Sequence, residues 1–232
     1  MLALPASAVV GPTVPDPGLG SHVIMLLMRQ GAKAGFCSGV VVARNVVLTA
    51  AHCITRPATM RLFYRDAGKP VMLKVARLAV NPGYRAKAQQ TRQRTLDLAL
   101  VESAAPLPAR FTAAKLGTSA SAHLGEDFLI AGFGMGLEND PTSNGTLRVA
   151  RIETRAPLSH ILLWAKDPDH DGAGACEGDS GAPIFDETNH QLVAITAWAD
   201  GHGKHLCGAF TQGTFVAPQR GWIARVLQGW RK

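Results

Sequence analysis

"FCSGVVVARNVVLTAAHC", residues 36–53, contains two short apolar runs separated by a single arginine. Valine dominates both runs, "GVVVA" (39–43) and "NVVLTA" (45–50), and β-branched residues of this kind favour strands. Similar runs recur along the chain between glycine, proline and other turn residues. They are "HVIMLLM" (22–28), "MRLFY" (60–64), "VMLKVARLAV" (71–80), "DLALVE" (97–102), "DFLIAGFG" (127–134), "GTLRVARIET" (145–154), "HILLWA" (160–165), "APIF" (182–185), "QLVAITAWA" (191–199) and "GTFVAP" (213–218). The pattern predicts an all-β protein, either barrels or a sandwich.

The length and composition allow one large β domain or two small barrels that share a cleft. The chain has 232 residues, of which 47% are apolar and 18% are charged, so a sizeable core can form. A strand-poor passage at 103–122 is rich in proline, alanine and serine and predicts a linker between two halves. Only "QRGWIARVLQGW" (219–230) has apolar residues at helical spacing, which predicts a C-terminal α-helix. The residues on its apolar face are Trp222, Ile223, Val226, Leu227 and Trp230.

The net charge of +7 is compatible with an acidic partner, so a basic protein acting on nucleic acid or membranes is one rival interpretation. The densest basic group, "TRQRT" (91–95), is short and has no interleaved aromatic residues. No apolar run reaches the roughly 18 residues that span a bilayer. We therefore expect a solvated basic surface, with no nucleic-acid partner and no membrane insertion.

The four cysteines, Cys37, Cys53, Cys176 and Cys207, lack the CxxC spacing of a zinc site. Two disulfides in an oxidising compartment is the simpler interpretation. Four cysteines allow three pairings, and their spacing alone does not choose among them.

The first eight residues, "MLALPASA", resemble the end of a signal peptide or propeptide. Ala6-Ser7-Ala8 has the A-x-A pattern that signal peptidase accepts, and a short apolar stretch precedes it. A frayed N-terminus is the alternative. The expected compartment is secreted or periplasmic.

Three residues of the types needed for acyl transfer occur in three separate motifs. His52 ends "LTAAHC", Asp97 opens "DLALVE", and Ser180 lies in "GACEGDSGAP" (173–182). A serine hydroxyl needs an imidazole to take its proton, and a buried carboxylate orients that imidazole. The backbone N–H groups of Gly178 and Ser180 are candidates for an oxyanion hole.

Together, "FCSGVVVARNVVLTAAHC", "LDLALVE", "GACEGDSGAP" and "ITAWA" resemble the chymotrypsin/trypsin family of serine proteases, in a bacterial-type, secreted form. The resemblance implies two six-stranded antiparallel β-barrels followed by a C-terminal α-helix. Residues 9–112 would form the barrel that carries His52 and Asp97, and residues 113–232 the barrel that carries Ser180. The resemblance also implies that Cys37 pairs with Cys53, and Cys176 with Cys207.

The resemblance further implies an activation pair. In the family, a newly cut apolar N-terminus turns inward and pairs its amine with the aspartate before the nucleophile, which is Asp179 here. "VVGP" (9–12) resembles the family's mature start, except that Pro12 stands where a second glycine is usual. Because the A-x-A pattern ends at Ala8, one hypothesis is that export and activation are the same cut, before Val9. The alternative is that "VVG" is a coincidental strand start.

The specificity pocket is expected to be neutral. Its floor in the family lies six residues before the nucleophile, which is Gly174, so a basic residue at P1 (just before the scissile bond) is not expected. Ala199 stands at a wall position that is often glycine, and a small-to-medium apolar P1 residue is predicted. The full set of predicted substrate-binding residues is Gly174, Ala175, Ala197, Trp198, Ala199 and Gly213.

Two features depart from the family or fit it weakly. Ala197 occupies a position where a serine usually hydrogen-bonds the triad aspartate. "DPDHDG" (167–172) matches the first half of a calcium loop through Asp167, Asp169 and Asp171, but Gly178 stands where the closing glutamate belongs. No metal and no cofactor are expected.

The sequence therefore predicts a serine endopeptidase that cleaves polypeptide substrates through an acyl-enzyme. Protein protease inhibitors are a second class of expected partner, and a monomer is the expected state. The alternative is a catalytically weak or inactive homologue that acts as a binding protein on a protease fold.

Overall fold

The computed structural model describes residues 9–88 and 93–231, so the predicted leader remnant at 1–8 lies outside the described residues. The described residues form twelve strands. They are β1 (Val23–Gln30), β2 (Lys33–Ala43), β3 (Val46–Thr49), β4 (Met60–Asp66), β5 (Lys69–Val80), β6 (Ala99–Ser103), β7 (Asp127–Gly132), β8 (Arg148–Thr154), β9 (Leu162–Lys166), β10 (Pro183–Asp186), β11 (Leu192–Asp200) and β12 (Phe210–Phe215). The α-helix α1 (Arg220–Trp230) follows them. Short 3-10 helices lie at Leu19–His22, Ala51–Cys53, Pro57–Thr59, Pro141–Ser143 and Ala217–Gln219.

The strands form two closed antiparallel barrels of six strands each, which confirms the predicted fold class. The first barrel has the order β1-β2-β3-β6-β5-β4. The second has β7-β8-β9-β12-β11-β10, which is the same order shifted by six strands. The predicted domain division at residue 112 falls between β6 and β7, and it remains a prediction.

One buried core is shared by the two barrels and the helix. Leu48 and Leu100 enter it from the first barrel, and Phe185 and Ile195 from the second. Ile223 of α1 is 1% exposed in the same cluster, and the other four apolar residues of the predicted helix face pack against it. The C-terminal helix is therefore held by burial of the apolar face that its sequence predicts.

The barrels meet at a backbone contact just beyond the predicted nucleophile. A Cβ on Gly181, whose φ is +82°, would lie 2.1 Å from Thr49 Oγ1 and 2.2 Å from the Ser38 carbonyl oxygen. Ser38 Oγ donates to the Gly178 carbonyl (3.0 Å), and the Ser38 amide donates to the Ser180 carbonyl (2.8 Å). These contacts fix the nucleophile segment of the second barrel against β2 and β3 of the first.

Gly181→Ala should lower the free energy of unfolding by more than ~4 kcal/mol, because its methyl group meets backbone atoms that have no space to move. Gly125→Ala is the matched control, since Gly125 also has a positive φ (+77°) but has open space around its Cβ position. The control should cost only ~1–2 kcal/mol for the left-handed backbone. Urea unfolding followed by circular dichroism measures both, and equal losses would contradict a tight contact between the barrels.

Candidate active site

His52 and Asp97 are brought together by two neighbouring strands. β3 and β6 pair at Thr49 and Ala99, so the residues beyond these strand ends lie side by side. His52 follows β3 on the short 3-10 helix, and Asp97 precedes β6. The Asp97 carboxylate accepts from the His52 amide (2.9 Å) and lies 2.7 Å from His52 Nδ1. Because a carboxylate only accepts, this contact places the imidazole proton on Nδ1 and leaves Nε2 as a proton acceptor.

Ser180 lies in the same cleft as this pair. The cleft between the barrels has a volume of about 470 Å³, and His52, Asp97 and Ser180 all line it. Ser180 is half-buried, and its carbonyl is held by the Ser38 amide. The structure therefore brings together the three residues that the sequence motifs nominate.

The predicted oxyanion donors are free of other acceptors. Within residues 9–88 and 93–231, the amide nitrogens of Gly178 and Ser180 make no hydrogen bond. Gly178 has a φ of +94°, and a Cβ there would lie 2.2 Å from the ring of Phe36. Only glycine fits this position. The described residues thus leave the amides of Gly178 and Ser180, on either side of Asp179 in the sequence, without an acceptor.

Asp179 lies between Gly178 and Ser180 in the sequence, and it is fully buried. Its carboxylate accepts from the amides of Gly134 (2.8 Å) and Cys176 (3.0 Å), and from the Val9 amide. Burial raises the pKa of Asp179 to about 7, although these hydrogen bonds act in the opposite direction. The next residue, Val10, forms two backbone hydrogen bonds of 3.1 Å with Gly174. The segment 9–10 is thus seated beside the oxyanion loop.

Both disulfides join elements around the cleft. Cys37 on β2 is bonded to Cys53, which follows His52, and Cys176 is bonded to Cys207. These are the pairings that the family resemblance implies.

The structure divides the predicted substrate-binding residues. Ala197, Trp198 and Ala199 on β11 line the cleft, whereas Gly174, Ala175 and Gly213 do not. A Cβ on Gly213 would point at Ile184 and Ala194 inside the second barrel.

Thr211, which the sequence analysis missed, lies beside Gly174, the predicted floor of the specificity pocket. Its Oγ1 would lie 3.2 Å from a Cβ on Gly174, and it accepts from the Ala175 amide at 3.0 Å. The cause is the start of β12 at Phe210, three residues earlier than the sequence predicts, with Thr211 paired to Ala199. Four of the six residues in "FTQGTF" (210–215) are aromatic or β-branched, and this composition is the signal that could have placed the strand.

Asp200, the last residue of β11, lies outside the cleft, in a separate surface pocket with Arg155 and His202. Ala197 and Asp97 both line the cleft. Among the described residues, Asp97 accepts its two hydrogen bonds from His52.

In the predicted half of a calcium loop, backbone amides bind the first carboxylate, that of Asp167. Asp167 is 5% exposed and accepts from the amides of Asp169 and Ala173. Among the described residues, the one set of three metal-ligand types with close atoms is Cys37, His52 and Cys53. Its two cysteines are joined in a disulfide, so this set does not suit a metal.

Known proteins similar to this chain are trypsins and other proteases. The family model described as Trypsin matches residues 9–223. The trypsin of Sarcophaga bullata is 23% identical over 92% of this chain and 87% of its own length. The trypsin of Saccharopolyspora erythraea is 28% identical over 80% of this chain and 85% of its own.

Among solved structures, the scabies mite inactivated protease paralogue S-I1 superposes with a TM-score of 0.75 at 23% identity. The match covers 95% of this chain and 99% of that one. This likeness supports the fold alone. Within the described part of the chain, no helix is long and apolar enough to cross a membrane.

While Val9 remains joined to Ala8, the pH dependence of stability should carry a contribution from Asp179. Its folded pKa of about 7 lies above the ordinary value of 3.8, so folding favours the protonated form. The resulting stabilisation is complete below pH 3.8 and is lost as the pH rises through about 7. Asp179→Asn removes this titration, so the uncut wild type should lose more stability than the variant between pH 5 and pH 8.

Urea unfolding of both proteins at the two pH values measures this difference. A chain that begins at Val9 is the control, because its free amine would pair with the ionised carboxylate and oppose the loss. Parallel pH profiles for the uncut wild type and Asp179→Asn would contradict this prediction.

Proposed function

Because this chain belongs to the trypsin family of serine endopeptidases, we propose that it hydrolyses peptide bonds with Ser180 as nucleophile, His52 as general base and Asp97 as orienting acid. The observation that carries the proposal is the 2.7 Å contact of His52 Nδ1 with Asp97 in the cleft that Ser180 lines. An imidazole held in this way presents Nε2 to the cleft, where a serine hydroxyl needs a proton acceptor.

The proposed reaction proceeds in two steps through an acyl-enzyme. Ser180 Oγ attacks the scissile carbonyl carbon while His52 Nε2 takes the hydroxyl proton, and the negative charge develops on the carbonyl oxygen. The amides of Gly178 and Ser180 donate to that oxygen, each contributing about 3 kcal/mol. His52 then gives its proton to the leaving amine as the C–N bond breaks. A water molecule attacks the ester in the same manner, and Ser180 regains its proton.

A polypeptide substrate can bind as an added β-strand. β11 pairs with β10 only as far as Ile195, whereas its pairing with β12 continues to Asp200. The edge at residues 197–199 therefore has a strand on one side only and faces the cleft with its other side. Backbone N–H and C=O groups on such an edge bind extended peptides with little regard to sequence.

The P1 preference proposed here is for small-to-medium apolar residues, with alanine favoured. Gly174 offers no charge, and Thr211 narrows the space beside it. Ala199, on the pocket wall predicted from the family, adds a methyl group where glycine would leave room. Each methyl group in such a pocket changes selectivity by about 1–3 kcal/mol, so the preference is graded.

Activation is proposed to follow cleavage between Ala8 and Val9. A free Val9 amine would replace the present amide as the partner of Asp179, which is 0% exposed. An ammonium–carboxylate pair in this buried position is charge-assisted and would stabilise the shape of the oxyanion segment.

We further propose a monomer in a secreted or periplasmic setting, with protein protease inhibitors as additional partners. Two disulfides suit an oxidising compartment. The alternative, an inactive binding protein on this fold, is one outcome of the labelling experiment below.

A fluorophosphonate probe should add once to a wild-type chain that begins at Val9, because the probe reacts only with an activated serine. Ser180→Ala should take no adduct. Ser119→Ala is the matched control, since Ser119 is exposed and outside the cleft, and it should label as the wild type does. Intact mass measures adduct and N-terminus together. No adduct on a wild-type chain beginning at Val9 would reject the endopeptidase and favour the binding protein.

Thr211→Ser should shift P1 selectivity toward larger residues. The serine keeps the hydroxyl that accepts from the Ala175 amide and removes only a methyl group, so the fold should be preserved. Cleavage after leucine relative to alanine should rise by up to about tenfold. Ratios of kcat/KM for a matched pair of peptide substrates measure the shift. An unchanged ratio would mean that Thr211 does not border the P1 pocket.

A further inference from the structure

An arginine of the first barrel, Arg85, lines the same cleft as the free edge of β11. Between β5 and Asp97, several described side chains at residues 84–88 and 93–96 line the cleft from the first barrel. These are Tyr84, Arg85, Ala86, Ala88 and Thr95, and the second barrel contributes Ala197, Trp198 and Ala199. A peptide strand added to β11 would pass between these two walls.

Hydrogen bonds hold the backbone around Arg85 in place. The Arg85 amide donates to Thr95 Oγ1 (2.9 Å), and the Leu96 amide donates to the Gly83 carbonyl (3.1 Å). The Ala88 amide donates back to the Arg85 carbonyl (3.0 Å). The position of Arg85 at the cleft is thus set by the fold of the segment, and its side chain is exposed.

The Arg85 guanidinium has no ion-pair or hydrogen-bond partner among the residues that the structure describes. The other titratable side chains that line the cleft, apart from Tyr84, are His52, Asp97 and Glu177. Asp97 is engaged by His52, and Glu177 lies beside Gly178, at the oxyanion end of the cleft. Asp200 lies beyond Trp198 in a different pocket. The wall at Arg85 therefore carries a positive charge that no described carboxylate neutralises.

The direction of a bound strand determines which substrate residues meet this charge. A peptide antiparallel to β11 runs from Ala199 toward Ala197, so the scissile bond at Ser180 follows the residues paired with β11. The residues before P1 would thus lie along Trp198, in the cleft that Arg85 also lines.

We propose that Arg85 selects substrates with an aspartate or glutamate among the three residues before P1. This inference rests on the proposed peptidase function and adds a substrate class to it. A guanidinium and a carboxylate can form a two-point hydrogen-bonded pair, which distinguishes an acidic side chain from its amide. Because the pair is exposed to solvent, we expect a preference of about fivefold, which should decrease as salt is added.

The test compares peptides that have alanine at P1 and differ only by glutamate or glutamine at each of the three preceding positions. The wild type should have the higher kcat/KM for glutamate at one or more positions. Arg85→Gln should bring the glutamate-to-glutamine ratio of kcat/KM to about one, and Arg85→Glu should make it smaller than one. Arg225→Gln is the matched control, because Arg225 is an exposed arginine on α1 outside the cleft. It should keep the wild-type ratio, whereas a loss in this control would assign the preference to overall charge.

Binding of the same peptides to Ser180→Ala, measured by fluorescence anisotropy, separates the two proposals. Tighter binding of the glutamate peptide that depends on Arg85 supports the inference even if the wild type cleaves nothing. Active cleavage with equal rates for glutamate and glutamine at all three positions would overturn the role of Arg85 and leave the peptidase intact. Equal binding of both peptides to Ser180→Ala would overturn it as well.

Discussion

The contact of Gly181 with β2 and β3 is the constraint on which the rest of the cleft depends. His52 and Asp97 belong to one barrel and Ser180 to the other, so their relative positions depend on how closely the barrels approach. At Gly181 the two backbones are too close for any side chain, and Ser38 joins them by hydrogen bonds to Gly178 and Ser180. Interiors as densely packed as this have little freedom to shift, which is why the cleft geometry is held.

The segment that carries the two candidate oxyanion donors contains a second buried group. Asp179 lies between the two candidate donors in the sequence, is fully buried, and accepts hydrogen bonds from three amides. Burying a carboxylate costs free energy unless it is protonated or paired. The N-terminal segment at Val9 is therefore positioned to act on the oxyanion loop, because it supplies one of the partners that this carboxylate needs.

Three residues in or beside the cleft bear on its proposed function, and a different role is proposed for each. Ala197 cannot donate to Asp97, so in the described chain that carboxylate is held by His52 alone. Thr211 lies beside Gly174, where we propose that it limits the size of P1. Arg85 adds a charge to the cleft wall, for which we propose a role in recognising the residues before P1. On these proposed roles, rate, P1 size and the preference before P1 would each depend on a different residue.

Much of the fold follows from local patterns that the chain displays openly. Apolar runs of strand length predict the strands, and helical spacing predicts α1, because both depend on which side chains are buried. The order of strands within each barrel, by contrast, does not follow from local patterns. The two barrels share one order although the sequence has no visible repeat, since pairing depends on distant partners. The start of β12 at Phe210, rather than at Gly213, follows from its pairing with Asp200.

The candidate site divides in the same way. The sequence by itself determined the residue types of the candidate triad, the glycine at 178 and the even set of cysteines, because chemistry and backbone conformation restrict those positions. Only the tertiary structure decided that Thr211 borders Gly174, that Ser38 joins the barrels, and that Arg85 lines the same cleft as β11. These are contacts between residues distant in sequence, and they arise from strand register and barrel packing, which no local pattern encodes.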